Sequence, residues 1–425
     1  MQNGAIKLKE LFNGDRVFNI PKYQRTYAWQ EENLEYFLDD LLNQRGGKSY
    51  FLGTLLFHQK ESRGEYEIID VVDGQQRLTT IIIFMQVIIS LLKDRDSNKI
   101  TKKTYRKYIY DDESYKLELE NEDSSFLYQY IFGNSETSVF ETPSQKRLFT
   151  AKTFFQKRLQ VLEIDKLEHI YDVLIGSDVI LYIVENISDA TQIFELLNDR
   201  GRRLTSLEGI KSFLMYKIGC LNLKDNGEQA IDILQDNFST IYRLIEKEEI
   251  NESDLLRYHT ITFEKSKTDD YNAPDKFIKH QINRSFEKQL DDGKIKEEIV
   301  GYVERLRNSF EIFAEIKNNS MECKNFNNLL MIGRVKPFYP LMMKIYVDEK
   351  DYFCEFIENL VKFSFQISLV SLRSNGETYF YKRIRKNELN HTYIKLPVEQ
   401  NWWNIKKRLE DVLAYRNFYG NHSPT

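Results

Sequence analysis

The sequence predicts an α+β protein in which a first half of mixed strands and helices precedes a second half that is mostly helical. Two runs rich in β-branched and aromatic residues, separated by a polar stretch, predict neighbouring strands in the first half. In the second half the apolar residues recur at helical spacing and strand signals are few. We therefore predict a first domain at residues 1–220, with a polar insertion at 93–147, and a helical second domain at 221–425.

The composition is that of an ordinary globular protein, with 41% hydrophobic and 29% charged residues in a chain of 425. The 60 Lys and Arg residues against 65 Asp and Glu residues give a net charge of -5, so any contact with DNA needs a local basic patch. Cys220, Cys323 and Cys354 are too few and too scattered for a disulfide framework or a zinc cluster. We expect a protein of the reducing cytoplasm.

No segment of the sequence predicts insertion into a membrane. The N-terminus lacks the apolar core of a signal peptide, and the most apolar stretch, Ile81–Leu92, contains Gln86 and Ser90. This stretch is also shorter than the roughly 20 residues that a membrane span needs. It predicts a buried helix, and we expect no membrane partner.

The elements of the first half follow from periodicity. Apolar residues between Leu34 and Leu42 recur at i, i+3, i+4, i+7 and i+8, which predicts an amphipathic helix. Tyr50–Phe57 and Tyr66–Val72 predict a hairpin or two neighbouring strands. A helix over Leu78–Leu92 is then expected to pack on this sheet.

Two further helices and one more strand are predicted before the second half. A helix is expected over Phe149–Leu162, and a buried strand over Val179–Val184. Thr205 and Glu208 form the capping-box pattern of a helix that runs to about Ile218.

The insertion at 93–147 is polar and rich in tyrosine. Its basic cluster at residues 99–107 is followed at once by Asp111, Asp112 and Glu113, whose negative charges would cancel the field of the cluster. A solvated helical or loop insertion is therefore favoured over a DNA-binding patch.

The second half contains long stretches of helical periodicity, for example Ile231–Ile245, Ile299–Ile316 and Tyr352–Leu369. The basic and aromatic run Tyr379–Lys386 has a composition used for nucleic acid, although a solvated helix end is the favoured interpretation. The Trp402–Trp403 pair is expected to cap a core rather than to stack on a base.

The most informative segment is a strand, a glycine turn and a helix start within residues 66–80. The exposed N–H groups of a helix start and the positive end of its dipole attract anions. Gly74 lets the backbone turn closely around a ligand, Arg77 offers a fork suited to phosphate oxygens, and Asp73 would hold a divalent metal or orient a nucleophile. The segment therefore predicts a nucleotide pocket. Its polar residues are Asp73, Gln75, Gln76, Arg77, Thr79 and Thr80.

The same turn also fits a purely structural hypothesis, in which Asp73 caps the helix and Arg77 pairs with a surface carboxylate. Glutamine is not a preferred N-cap, so capping does not explain the pair Gln75-Gln76. At the level of the residues alone, both interpretations stay open.

A second polar turn lies between two predicted helices at residues 190–211. Gly201 supplies the turn, and Arg200, Arg202 and Arg203 surround it beside Asn198. These arginines are either exposed on a capped helix pair or reach a phosphate of a nucleotide or of DNA.

Three motifs of the first half resemble the N-terminal domain family of GmrSD-type, modification-dependent restriction systems. The resemblance covers roughly the first half of the chain and implies a fold similar to that of the ParB and sulfiredoxin proteins. The motifs are Pro21-x-Tyr23-Gln24-Arg25-x-Tyr27-x-Trp29, Asp73-Gly74-Gln75-Gln76-Arg77-Leu78-Thr79, and Phe194-x-x-Leu197-Asn198-x-Arg200-Gly201-x-x-Leu204 followed by Lys211.

The resemblance implies an NTP-dependent antiphage or restriction subunit. In that family the Asp-Gly-Gln-Gln-Arg segment is implicated in binding and hydrolysing a nucleoside triphosphate, so NTP and Mg²⁺ are the expected ligands. The implied catalytic residues are Asp73, Gln75, Gln76 and Arg77, with Asp73 also on the metal. The implied nucleotide-binding residues, expected in one pocket, are Gln24, Arg25, Gly74, Thr79, Thr80, Asn198, Arg200 and Lys211.

The companion module of that family is an HNH-type nuclease that cuts foreign DNA bearing modified bases, and no such module is recognisable in this sequence. None of the six histidines stands in an HNH setting, and the nearest candidate, His169, lacks the nearby proline. If the chain is the full gene product, cleavage must come from a partner. The expected partners are foreign or modified DNA and a separate HNH-type nuclease.

Three functions remain as hypotheses. The first is an NTPase and specificity subunit, and the second is a non-catalytic ParB-like clamp in which the nucleotide is a conformational ligand on DNA. A standalone nuclease that uses carboxylates alone is the third, but no carboxylate cluster at metal-ligand spacing supports it. The sequence has no Walker A motif, which excludes the ordinary P-loop mechanism. A homo-oligomer stays open.

Overall fold

The computed structural model describes residues 3–415 except 45–48, 61, 134, 138, 187–204, 224–225, 265, 267–269, 320–322, 324, 334, 370–375, 396–398 and 400. The chain divides into two compact units. The first comprises Met1–Glu249 and Leu290–Val300, and the second comprises Ile250–Gln289 and Gly301–Thr425.

One six-stranded mixed sheet forms the frame of the first unit, with its strands in the order β1-β6-β3-β4-β2-β5. Strands β3 and β4 form an antiparallel hairpin and β1 pairs antiparallel with β6, whereas β2 lies parallel to both β4 and β5 and β3 lies parallel to β6. The α+β prediction and the three predicted strands are therefore confirmed. The strands are β1 (Gly4–Lys7), β2 (Arg16–Ile20), β3 (Phe51–Gln59), β4 (Glu67–Asp73), β5 (Leu117–Leu119) and β6 (Asp178–Val184).

The first unit also contains helices. The four helices predicted in the first half, near 34–42, 78–92, 149–162 and 205–218, are confirmed as α2, α3, α6 and α8. Helix α6 begins earlier than predicted because Thr142 caps it and Pro143 occupies its first turn. Within the described residues the helices are α1 (Leu8–Leu11), α2 (Glu31–Leu42), α3 (Gln75–Asp94), α4 (Lys102–Tyr108), α5 (Ser124–Phe126) with a following π-helical turn (Leu127–Phe132), α6 (Pro143–Leu159), α7 (Ile164–Ile175), α8 (Ser206–Gly219) and α9 (Asn226–Lys247).

Helix α3 is the central helix of the core and is apolar on most of its circumference. The Phe84 ring packs edge-on against the rings of Phe37 and Phe155, at centroid distances of 5.7 Å and 5.0 Å. Among the described helices, α3 alone has the length and composition to cross a membrane, and 78% of that stretch is buried inside the protein. The prediction of a buried helix at Ile81–Leu92 is confirmed.

The segment at 93–147 is part of the core, which corrects its prediction as a solvated insertion. It supplies helix α4 and edge strand β5, and the side chains of Ile109 and Leu117 are fully buried. The sequence did not predict their burial because polar and charged residues separate these inward-facing side chains along the chain. Residues of the basic cluster form ion pairs within the protein, as Lys99 does with Asp172 and Arg106 does with Asp112.

The first unit extends past the predicted boundary at residue 220. Helix α9 lies beyond that boundary, yet it packs against α8 and α6. Its Glu246 also accepts a hydrogen bond from the Ser144 amide at 2.6 Å. By compactness the first unit therefore continues to Glu249 and also includes Leu290–Val300. The division at 220 into functional domains stays a prediction.

The described elements of the second unit are all helices, and those predicted at 299–316 and 352–369 are confirmed as α12 and α15. The helix predicted at 231–245 is confirmed as α9 of the first unit. The helices are α10 (Glu252–Thr262), α11 (Pro274–Glu287), α12 (Asp292–Asn319, which begins in the first unit), α13 (Phe326–Ile332), α14 (Tyr339–Asp348), α15 (Phe353–Leu369), α16 (Gly376–Arg385) and α17 (Ile405–Tyr415).

The basic and aromatic run Tyr379–Lys386 lies mostly on α16 and is tied into the second unit. Phe380 is fully buried, and the Arg383 guanidinium lies 5.3 Å from the centre of the Tyr379 ring. The Trp402 ring packs edge-on against Tyr379 at 4.9 Å. These contacts favour the structural interpretation of the run over nucleic-acid binding.

Two of the three cysteines form a disulfide, which corrects the expectation that all are reduced. Cys323 and Cys354 are joined with their Cα atoms 5.3 Å apart, and Cys220 is free and exposed. The sequence spacing of 31 residues gave no sign of this pair, because packing of α13 against α15 brings the two cysteines together. A cytoplasmic location stays a prediction.

Candidate functional site

The glycine turn at the end of β4 has the geometry that the sequence predicted. Strand β4 ends at Asp73, helix α3 begins at Gln75, and Gly74 between them has a φ of 87°. A Cβ on Gly74 would stand 2.3 Å from the Leu55 Cδ2 atom, so only glycine fits without a rearrangement. The turn leaves the first N–H groups of α3 without a side-chain cap.

Arg77 points inward across the hairpin rather than to a surface carboxylate. Its Nη1 donates a hydrogen bond to the Thr54 carbonyl oxygen at 3.3 Å. Gly53, with a φ of 96°, makes room for the guanidinium, because a Cβ there would stand 2.5 Å from Nη1. Burial lowers the pKa of Arg77 and the nearby Asp73 charge opposes that shift.

The Asp73 carboxyl group lies among charges of both signs. Burial raises the pKa of Asp73, whereas a hydrogen bond from the Gly74 backbone and the charges of Arg77 and Arg25 lower it. Glu208 acts in the same direction as burial. Helix α3 receives no side-chain cap from Asp73, so the purely structural hypothesis for this residue is not supported.

The loop after β2 brings Gln24 and Arg25 to this turn, as the sequence predicted. The Gln24 Nε2 donates to the Val72 carbonyl oxygen at 2.9 Å, and its Oε1 accepts from Gln75 Nε2 at 3.5 Å. The Arg25 Nε lies 3.3 Å from a carboxylate oxygen of Glu208. Because β2 and β4 run parallel and adjacent, the residues that follow them meet at one edge of the sheet.

Glu208 is a site residue that sequence reasoning missed, since the pattern assigned it only to helix capping. One carboxylate oxygen accepts from the Thr205 amide at 3.0 Å and completes the predicted capping box of α8. The other oxygen forms the ion pair with Arg25. The same side chain therefore starts α8 and fixes a cation beside Asp73.

Lys211 lies beneath the Gln24 loop, where it is 5% exposed. Its Nζ donates to the Tyr23 carbonyl oxygen at 3.1 Å and lies 3.5 Å from Gln24 Oε1. The rings of Tyr23 and Tyr242 lie 5.4 Å and 5.2 Å from Nζ. Burial lowers the pKa of Lys211 to about 8. Its predicted nucleotide contact is untested, and these contacts make it a support for Gln24.

Gln76 and Thr80 face the loop that follows Arg25. The Gln76 Oε1 accepts from the Ala28 amide at 2.7 Å, and its Nε2 donates to the Thr26 carbonyl oxygen at 3.0 Å. The Thr80 hydroxyl is 2.7 Å from the Tyr27 hydroxyl and also donates to the Gln76 carbonyl oxygen at 2.8 Å. These contacts favour a supporting role for both, while their predicted roles in chemistry stay predictions.

Thr79 is buried in the same helix, with 4% of its surface exposed. Asn198 and Arg200, which were predicted to bind the nucleotide, lie outside the described residues. The structure therefore brings together Asp73, Gly74, Gln75 and Arg77 with the Gln24 loop and α8.

Comparison with known families identifies the part of the chain that carries this site. Residues 8–215 match the GmrSD restriction endonuclease N-terminal domain. This part of the chain is a GmrSD N-terminal domain. No curated protein matches the chain. A GmrSD N-terminal domain implies a component of a restriction system.

All the predicted site residues of the GmrSD N-terminal domain, and Glu208, lie inside the matched range. The range begins with α1 and ends within α8, so it covers the whole sheet except β1. It stops before α9 and the second unit. The family match therefore concerns the site and not the helical half.

Among its described residues, the site offers a single carboxylate, Asp73, to a magnesium ion. Within the described residues no group of three or more His, Cys, Asp or Glu side chains could hold a metal ion. Magnesium commonly binds through one or two carboxylates together with substrate phosphates. Asp73, with Gly74 and Arg77 beside it, supplies one such carboxylate next to a place suited to phosphate.

Proposed function

We propose that this protein binds a nucleoside triphosphate with Mg²⁺ at the Asp73–Arg77 turn and hydrolyses it. It would act as the NTP-dependent subunit of an antiphage, modification-dependent restriction system with a separate HNH-type nuclease. The observation that carries the proposal is that two arginines, one carboxylate and an uncapped helix start meet at one edge of the sheet. That combination suits a phosphate chain and its metal.

Each side chain of the turn has a role in this proposal. The N–H groups at the start of α3 and the guanidinium groups of Arg77 and Arg25 would hold phosphate oxygens. Asp73 would hold the metal or orient the attacking water. When bound, Mg²⁺ would neutralise charge on the phosphates during transfer. Gln24 and Lys211 would keep the loop in place against β4.

A nucleotide-switched clamp is the second candidate, and two observations favour it. Among the described residues, Asp73 has no cluster of further metal ligands around it, and both ends of the Gln76 amide are bonded to the loop at residues 26–28. Such a site has groups that suit phosphates but leaves Asp73 as the one carboxylate proposed to activate water. In this alternative the nucleotide would change a DNA-binding conformation without turnover.

Asp73→Asn separates the two functions. Under the hydrolysis proposal, this variant loses most phosphate release and keeps nucleotide affinity within a few fold, because a water-orienting or metal-holding carboxylate acts mainly on the transition state. Release is measured with all four ribonucleoside triphosphates, with and without modified phage DNA. Asp39→Asn, at an exposed site on α2, is the matched control and should behave as wild type. Tight binding by wild type with no release above background under every condition would support the clamp instead.

A further inference from the structure

A cavity of the first unit opens beside the loop that holds Gln24. Its volume is about 740 Å³, within the range of small-molecule sites. The walls are the loop after β2, the segment from Glu120 to Asp123, the start of α6 and the last turns of α9. We name this cavity the α9 cleft.

Asp123 in the wall of the α9 cleft is a buried acceptor with unused capacity. Its side chain is 2% exposed, and Oδ1 accepts a hydrogen bond from the Thr142 hydroxyl at 2.9 Å. The other oxygen, Oδ2, is buried and makes no hydrogen bond to any described residue. A buried carboxylate oxygen without a donor is costly, so this position favours a ligand that supplies one.

Glu246 supplies a second carboxylate from another wall of the α9 cleft. Its Oε1 accepts from the Ser144 amide at 2.6 Å and lies 3.7 Å from an Arg147 guanidinium nitrogen. Burial raises the pKa of Glu246, and the charge of Asp123 adds to that shift. Carboxylates outnumber cationic side chains along the whole lining, so phosphate groups are poorly matched to this cleft.

The α9 cleft adjoins the proposed phosphate site through shared residues. Gln24 lines the cleft, and its side chain bonds to Gln75 and to the Val72 carbonyl oxygen at the turn. Thr26 also lines the cleft, and its carbonyl oxygen accepts from Gln76. A ligand with its phosphates at the turn would therefore have its other end directed to an acceptor-rich cavity.

We infer that the α9 cleft receives the base of the bound nucleotide and selects guanine, with Asp123 accepting hydrogen bonds from guanine N1–H and from its exocyclic amine. The inference rests on the proposed nucleotide function and names the base. Guanine is the common base with two adjacent N–H donors on its pairing edge. Adenine and cytosine place a ring-nitrogen acceptor beside their amine, and uracil places carbonyl oxygens beside its N–H. Each of these three sets an acceptor against the carboxylate.

The test compares Mg²⁺ complexes of GTP, ITP, ATP, CTP and UTP on the full chain by calorimetry or by competition with a fluorescent nucleotide. Wild type should bind GTP at least tenfold more tightly than ATP, CTP or UTP, with ITP between GTP and ATP because inosine lacks the exocyclic amine. This comparison uses no variant, so it does not depend on the folding of a mutant.

Asp123→Asn then tests the contact by a gain of binding. Asparagine keeps an oxygen for Thr142 and turns an amide donor toward the cleft, which matches xanthine, whose carbonyl replaces the guanine amine. The variant should bind XTP at least tenfold more tightly than wild type does and should lose its preference for GTP over ATP. Glu122→Gln, an exposed change in the same wall, is the matched control and should keep the GTP preference.

The outcomes separate the inference from the function on which it rests. Nucleotide binding with equal affinity for all bases, or a GTP preference unchanged by Asp123→Asn, overturns the guanine assignment and leaves the phosphate site standing. If wild type binds no triphosphate at all, the proposed function fails and the inference fails with it.

Discussion

At the scale of single residues, burial works against the charges of both Asp73 and Arg77. It raises the pKa of the carboxyl group and lowers the pKa of the guanidinium, and each charge partly offsets the shift of the other. Among the described residues, neither group forms an ion pair with a surface side chain. A ligand that brings a cation to Asp73 and phosphate oxygens to Arg77 would stabilise both charged forms.

The acid side of the pH–rate profile tests the surroundings of Asp73. Because burial raises the pKa of Asp73, phosphate release that needs the carboxylate should decline at a pH above the ordinary aspartate pKa of about 3.9. Arg25 lowers and Glu208 raises this pKa, so Arg25→Met should move the acid limb to higher pH and Glu208→Gln should move it to lower pH. If both variants moved the acid limb in the same direction, a group other than Asp73 would control the pH dependence of phosphate release.

Lys211 predicts a pH dependence of stability. Its pKa is about 8 in the folded protein against 10.5 as the ordinary value, so between these values the unfolded chain binds more protons. The free energy of unfolding should therefore rise with pH in this window, by about 1 to 2 kcal/mol between pH 7.5 and 9.5. Lys211→Met should remove this rise. Chemical denaturation at several pH values measures it, and identical slopes in both proteins would contradict the buried position of Lys211.

At the scale of elements, the site depends on the β3–β4 hairpin, which places β3 beside Arg77 of the following helix, α3. Strands β3 and β4 pair antiparallel, and α3 follows β4 after a single residue. Gly53 on β3 then faces the guanidinium of Arg77. The position of the Arg77 guanidinium therefore depends on β3 as well as on α3.

Gly53→Ala tests that arrangement with Arg77 still present. The new methyl group would meet the Arg77 guanidinium, so we expect a folded protein whose nucleotide affinity falls about tenfold because a phosphate contact is lost. Gly4→Ala is the matched control, since Gly4 also has a positive φ on a strand but has open space around it. If both variants bind nucleotide equally, Gly53 does not position the arginine.

The elements also show what the sequence could predict and where it could not. The strand, turn and helix at Asp73 were predictable because their signals are local, namely β-branched residues, one glycine and an apolar run. Glu208 was out of reach, because its ion pair with Arg25 joins residues far apart in the chain. The core role of the segment at 93–147 was hidden in the same way, since β5 enters the sheet by pairing with β2.

At the scale of the whole molecule, the family match covers only the first half of the chain, and the helical half lies beyond it. The GmrSD N-terminal domain holds the proposed nucleotide site, and the match ends within α8. The second unit lies beyond the matched range, and its described elements are all helices. This unit is the part of the chain that we propose as the reader of DNA or of a partner nuclease.

We predict that this chain alone does not cleave DNA. None of the histidines lies in an HNH setting, and the described residues hold no cluster of three or more metal-binding side chains. Purified protein with modified phage DNA, NTP and Mg²⁺ or Mn²⁺ should leave the DNA intact, and a separate HNH-type nuclease should restore cutting. Nicking by the chain alone that survives Asp73→Asn would reveal a nuclease site elsewhere.

The affinity of Arg77→Ala for a nucleoside triphosphate tests the central claim most directly. Calorimetric titration with Mg²⁺ and the best-bound triphosphate should show binding weakened roughly tenfold to a hundredfold, because a charge-assisted phosphate contact is worth about 1.5 to 3 kcal/mol. Arg63→Ala removes an exposed arginine of the same unit and should bind as wild type does. An unchanged affinity in folded Arg77→Ala would contradict the placement of the phosphates at the Asp73–Arg77 turn.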